Sequence, residues 1–222
     1  FLVLFSSQIF NLNAQIPIHL QTGAIDFDSI IQADAFSEIH ARKFGELIIQ
    51  DSGGRMKPAN TFSSELLRKV SKSDTYKGIN SDQALLSIMN NPAIWYNVPL
   101  IYLKRGNDSV RKLAGIDLNA KYAPLLSFFD NLGNYKLAVP LEEAYRAAIP
   151  NQFQKDFIEL DRRINLLYSA LEGKVMRIFP IPNDENNKWV SYPELAEANF
   201  KGKDSLYVRN ILPLYFQSLR LA

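Results

Sequence analysis

The sequence predicts an α+β fold, predominantly α-helical with a few short strands. Phe153, Phe157, Leu160, Ile164, Leu167 and Leu171 recur at spacings of 4, 3, 4, 3 and 4, one apolar seam along a helix of about five turns. The β-forming runs near residues 47–51, 97–103 and 174–179 are short and never alternate with helices as βαβ units require. With 47% apolar and 22% charged residues over 222 positions, the composition is that of a globular chain able to bury a sizeable core.

The elements follow in order. Residues 1–5, Phe1-Leu2-Val3-Leu4-Phe5, lack an initiator Met and lead into a run that turns polar towards Gln15. Five apolar residues fall far short of the roughly 20 that cross a bilayer, so no transmembrane span is complete. The run fits the tail of a transmembrane helix or signal segment of a longer precursor, with an apolar strand or short core helix as the alternative. Residues 1–15 are therefore set apart from a single globular domain at 16–222.

Asp26 and Asp28 precede a helix start near Ser29. Ala35, Phe36, Ile39 and Phe44 have helical spacing over residues 34–44, with Gly45 placed as the left-handed residue past the end. Leu47-Ile48-Ile49 predicts a strand, and Asn60 or Thr61 caps a helix carrying Phe62, Leu66, Leu67 and Val70. Ser81 caps a helix that stops before Pro92, and Trp95 to Leu103 reads as an edge or bulged strand because of Pro99. Short helices follow at 109–113, 124–132 and 140–148, then the long seam to Gly173. A strand at 174–179 leads into a polar loop, Ser191-x-x-Glu194 has capping-box spacing, and an amphipathic helix kinked by Pro213 closes the chain.

Charge and composition exclude several functions. Lys+Arg 25 against Asp+Glu 23 gives a net charge of +2, too balanced for a nucleic-acid partner. The chain has no cysteine and only two histidines, His19 and His40, which excludes disulfides, thiolate metal sites and haem attachment to this chain. His40 sits at the border of an apolar helix stripe, where a hydrogen-bonded flank residue is the ordinary role and a haem ligand the exceptional one. The carboxylate pairs Glu142-Glu143 and Glu159-Asp161 point in different directions on a helix, as solvated faces do.

The most distinctive stretch is Gln50-Asp51-Ser52-Gly53-Gly54-Arg55-Met56-Lys57-Pro58-Ala59-Asn60-Thr61. Gly53 and Gly54 allow positive φ or close backbone approach, and Pro58 restricts Lys57. Asp51, Arg55, Lys57, Asn60 and Thr61 supply more polar function than a simple turn needs. Two roles fit: a loop that binds an anion or partner through backbone N–H groups and Arg55, or a structural turn in which Asp51 and Arg55 pair. Dinucleotide-loop and P-loop spacings are absent.

This run, extended to Lys43-Phe44-Gly45-Glu46-Leu47-Ile48-Ile49 before it and Phe62 after it, resembles a signature of the large fused cytochrome c biogenesis proteins of Bacteroidetes-type bacteria, which are System II haem-attachment machines. Trp95-Tyr96-Asn97-Val98-Pro99, Ile178-Phe179-Pro180-Ile181-Pro182 through Lys188-Trp189-Val190, and Ile211-Leu212-Pro213-Leu214-Tyr215 look like the same family, so the resemblance covers most of the chain from about residue 34 onward. It implies an extracytoplasmic domain on the periplasmic face of the cytoplasmic membrane, tethered at one or both ends. The parent assembly would export haem and attach it to apocytochrome c. This segment would dock apocytochrome c or other parts of the same membrane polypeptide.

The family's tryptophan-rich haem motif is absent, since Trp95 and Trp189 are isolated, and its axial histidines have no counterpart at His19 or His40. Haem is accordingly expected in the parent assembly and not in this segment, with a docking or scaffolding role rather than catalysis. The alternatives are direct contact of haem propionates with Arg55 and Lys57, with His40 near the ring, and an independent soluble hydrolase using paired carboxylates.

Overall fold

A computed structural model describes residues 26–106, 108–197, 205–207, 209–211, 213 and 217. The expected transmembrane tail, His19 and most of the C-terminal amphipathic pattern lie outside the described residues. Among those described, the fold is α+β and mainly helical, and no helix is long and apolar enough to cross a membrane.

The elements are α1 (Phe27–Ala33), α2 (Glu38–Gly45), β1 (Ile48–Gln50), β2 (Met56–Pro58), α3 (Ala59–Ser71), β3 (Thr75–Tyr76), β4 (Ile79–Asn80), α4 (Ser81–Asn90), α5 (Pro92–Trp95), β5 (Ile101–Tyr102), α6 (Asp108–Ala114), β6 (Tyr122–Ala123), a 3₁₀ turn (Leu125–Phe128), α7 (Ala138–Arg146), α8 (Gln152–Leu171), β7 (Phe179–Pro180), β8 (Trp189–Val190) and α9 (Tyr192–Glu197). The strands form four antiparallel pairs, β1 with β2, β3 with β4, β5 with β6 and β7 with β8. None builds a larger sheet, so the helices supply the core.

Helix α8 forms where its periodicity requires. Asn151 and Gln154 close a reciprocal capping box at its start, and Gly173 takes positive φ just past its end. Phe157, Leu160, Ile164, Leu167 and Leu171 are buried, each worth about 1.5–3 kcal/mol of apolar burial. Phe153, at the open end of the seam, stays 45% exposed. α8 packs on α3, α4 and α7, and α2 packs on α3 and α4. Trp95 is fully buried, its indole N–H donating to Ser87 Oγ at 2.9 Å. A smaller apolar cluster joins Phe179, Val190 and Leu195 beside the β7–β8 pair, with Ile211 packed against it.

Several expected boundaries move for local reasons. α2 starts only at Glu38, because the Ser37 side chain accepts the His40 N–H. Gly45 is the last helical residue, not a left-handed one past the end. A Cβ there would meet Asp82 Oδ2 at 2.7 Å and Asn60 Cβ at 2.9 Å, so glycine is needed for close approach. α3 begins at Ala59 after Pro58 with no side-chain cap, which removes Asn60 and Thr61 from the capping role. Asn80 rather than Ser81 caps α4, in a capping box with Gln83.

The stretch from Trp95 contains only Ile101–Tyr102 as strand, its start being the helical α5. The 124–132 helix is one 3₁₀ turn, and the strand at 174–179 shrinks to Phe179–Pro180.

Candidate functional site

The glycine-containing run is a β-hairpin. β1 and β2 pair with Ile48 opposite Pro58, Ile49 opposite Lys57 and Gln50 opposite Met56. Strand alternation puts Ile49 in the core with Lys57 on the same face, and leaves Ile48 and Met56 exposed on the other. The turn is closed by Asp51 N–H to Arg55 O at 2.9 Å and Gly54 N–H to Asp51 O at 3.0 Å, and Gly54 takes φ +82°. The Asp51 carboxylate fills the turn, its Oδ1 accepting the N–H groups of Gly53 at 2.8 Å and Arg55 at 3.0 Å. The backbone donors of Gly53, Gly54 and Arg55 are therefore spent inside the loop. What it offers an outside anion is side chains.

Those side chains divide into two sets. Lys57 Nζ lies between Asp51 Oδ2 at 3.2 Å and Glu65 Oε2 at 3.3 Å, and Lys69 reaches Glu65 at 3.5 Å. The Lys57 side chain is 17% exposed, held in this ladder between hairpin and α3. Arg55 stands apart: its Nε is 3.7 Å from Asp51 and its side chain 85% exposed. The expected Asp51–Arg55 pair is thus the weakest of Asp51's contacts.

Electrostatics follow the same division. The Arg55 N–H is the main group holding the Asp51 carboxyl below the ordinary carboxylate range, with Lys57 and the Gly53 N–H adding to it. Burial pushes Glu65 up, but the hydrogen bond and charge of Lys57 with the charge of Lys69 outweigh it, so Glu65 also lies below its ordinary value.

Gln50, buried at the base of the hairpin, ties it to the β7–β8 loop. Its amide donates to Gly54 O at 3.2 Å and Asn187 O at 3.1 Å and accepts the Trp189 N–H at 2.7 Å. Its own N–H donates to Arg177 O at 2.9 Å. Hairpin and second loop are held as one unit by a side chain whose capacity is largely used.

Beside this unit opens a cleft of about 590 Å³, bounded by the hairpin, α3, the last turns of α8 and residues 174–177. Its three carboxylates are all engaged. Asp51 and Glu65 belong to the ladder, and Glu194 accepts the Ser191 N–H and hydroxyl, both at 2.8 Å, beside Arg177 at 3.7 Å. Burial raises Glu194, but these Ser191 bonds and the Arg177 charge bring it below its ordinary value. Five cations face three anions. Lys174 has no ion pair among the described residues and Arg55 only a loose one. Phe62, Leu166 and Val175 pack on the core and give the cleft an apolar floor.

Of the sequence-predicted residues, Asp51, Gly53, Arg55 and Lys57 line this cleft, whereas Gly54, Asn60 and Thr61 lie outside its lining. Thr61 donates its hydroxyl to Asn60 Oδ1 at 3.2 Å. His40 is on α2, its ring stacked on Phe36 with centroids 5.4 Å apart, away from the cleft lining. The carboxylate pairs separate: Asp161 accepts the hydroxyls of Tyr135 and Tyr145, Glu159 pairs with Arg163 and Lys72, and Glu142 with Arg146. Sequence reasoning missed Gln50, Glu65, Lys69, Lys174 and Arg177. The Gly53-Gly54 pair was the sequence signal for the turn of the hairpin, whose second strand carries no β signature.

No protein-family model matches the chain. Over 158 residues it is 33% identical to Protein NrfI of Wolinella succinogenes, an alignment that takes in 69% of this chain and 17% of NrfI. The chain thus spans a small part of the length of that relative.

Proposed function

We propose that this chain is an accessory extracytoplasmic domain of a cytochrome c maturation protein, on the periplasmic face of the cytoplasmic membrane, with a docking or scaffolding role. The observation that carries the link to cytochrome c maturation is the similarity to NrfI over 158 residues, which agrees with the resemblance of residues 43–62 to the fused haem-attachment proteins. Docking is favoured by the cleft: its acids are consumed internally, while Arg55 and Lys174 are left for an outside group. The partner in this account is apocytochrome c or another part of the same membrane polypeptide, and haem belongs to the parent assembly.

Direct propionate contact through Arg55 and Lys57 is the weaker alternative, because Lys57 would have to leave both Asp51 and Glu65. Haemin titrated into the purified chain separates the two, since docking alone leaves the Soret band unshifted. The main test is Arg55→Ala with Lys174→Ala in the parent protein. Haem-stained c-type cytochrome falls several-fold while the amount of parent protein is unchanged. An undiminished cytochrome yield would remove the cleft from maturation.

A further inference from the structure

Resting on the docking role proposed above, we infer that the cleft beside the β1–β2 hairpin takes an acidic peptide segment carrying apolar side chains. A free phosphate or similar small anion is matched by convergent backbone N–H groups. Here the N–H groups of Gly53, Gly54 and Arg55 already serve Asp51. The remaining attraction comes from long cationic side chains at the rim, Arg55 and Lys174, with Lys69 64% exposed beyond its single bond to Glu65.

Rim cations of this kind steer and orient an acidic partner, and their contribution weakens with salt. The floor adds a second requirement. Phe62, Leu166 and Val175 are each half-buried, with one side on the core and the other towards the cleft. A purely ionic ligand makes no use of that surface, whereas a peptide alternating carboxylates with aliphatic side chains fits both. The Gln50 bonds to Asn187 and Trp189 fix the hairpin wall, so a partner meets a preformed surface.

The test is fluorescence anisotropy of a fluorescein-labelled nine-residue peptide alternating Glu and Leu, titrated with the 222-residue chain. Saturable binding is expected that weakens as NaCl is raised, with no binding of the matched Lys/Leu peptide. Arg55→Ala with Lys174→Ala weakens binding by about tenfold, which is about 1.4 kcal/mol, or about 0.7 kcal/mol for each of two exposed charges. Equal binding of the basic peptide, no binding at millimolar chain, an unchanged affinity in the double variant, or displacement of the peptide by millimolar inorganic phosphate would each overturn the assignment. Peptide binding combined with an unchanged cytochrome yield would uphold this ligand chemistry and reject the maturation role. Lost yield without peptide binding would do the reverse.

Discussion

The turn at residues 51–55 has a near twin at residues 130–134. In each, an Asp carboxylate accepts the N–H groups two and four residues on: Gly53 and Arg55 for Asp51, Leu132 and Asn134 for Asp130. In each, the Asp C=O accepts the N–H of a glycine at positive φ, Gly54 or Gly133, and the Asp N–H donates to the last residue's C=O. The fifth residue differs. Asn134 folds its amide back onto Asp130 at 2.9 Å, while Arg55 stays 85% exposed. The Asp184 loop repeats the carboxylate pattern, with Asn186 and Lys188 N–H groups as donors and Asn187 at positive φ. Asp and Gly in the most distinctive stretch of the sequence therefore build a turn this molecule uses repeatedly. What distinguishes the copy at 51–55 is Arg55 and the cleft it faces.

Variants can break the comparison at graded cost. Gln50→Ala strikes what the 130–134 turn lacks, leaving Gly54 O, Asn187 O and the Trp189 N–H without their partner; about 1–3 kcal/mol should be lost in urea unfolding. Gly54→Ala and Gly133→Ala put a side chain at φ +82° in both turns. Each should cost about 1–2 kcal/mol, and similar losses would support their equivalence.

Acid gives a smaller effect. Asp51, Glu65 and Glu194 all titrate below their unfolded values, so their contribution is present above the ordinary carboxylate range and lost as pH falls through the folded values. Asp130 behaves likewise, chiefly through the Asn134 side chain. The urea midpoint should hold above about pH 5 and decline below about pH 4, less steeply in Asp51→Asn. Asp82 runs the other way, because burial raises it. It favours the fold at low pH and opposes it as pH rises through its folded value, so Asp82→Asn should raise the midpoint at pH 7 and not at pH 4. Arg55→Ala should shift stability least, by under about 0.5 kcal/mol.

The parts legible in the sequence are those with a local cause. The α8 seam was readable because burial repeats every three or four residues. The hairpin was hidden because its second strand, Met56-Lys57-Pro58, has no β-branched residue and ends in proline. Gln50 was illegible as a keystone, since its partners Asn187 and Trp189 lie 137 and 139 positions away and an amide in a polar run carries no mark of burial. Asn60 and Thr61 looked functional by adjacency. Asp51 looked like a partner for Arg55 because opposite charges four apart pair on helices, whereas in this turn the backbone takes the carboxylate first.

The most direct test of this division of labour is the urea midpoint of Asp51→Ala beside that of Arg55→Ala. The turn geometry predicts that Asp51→Ala lowers the midpoint clearly, since two N–H groups lose their acceptor and Lys57 loses one of its two carboxylates, while Arg55→Ala leaves it unchanged. A fall in Arg55→Ala as large as that in Asp51→Ala would make Arg55 part of the turn and leave Lys174 without it as a cation for an outside group.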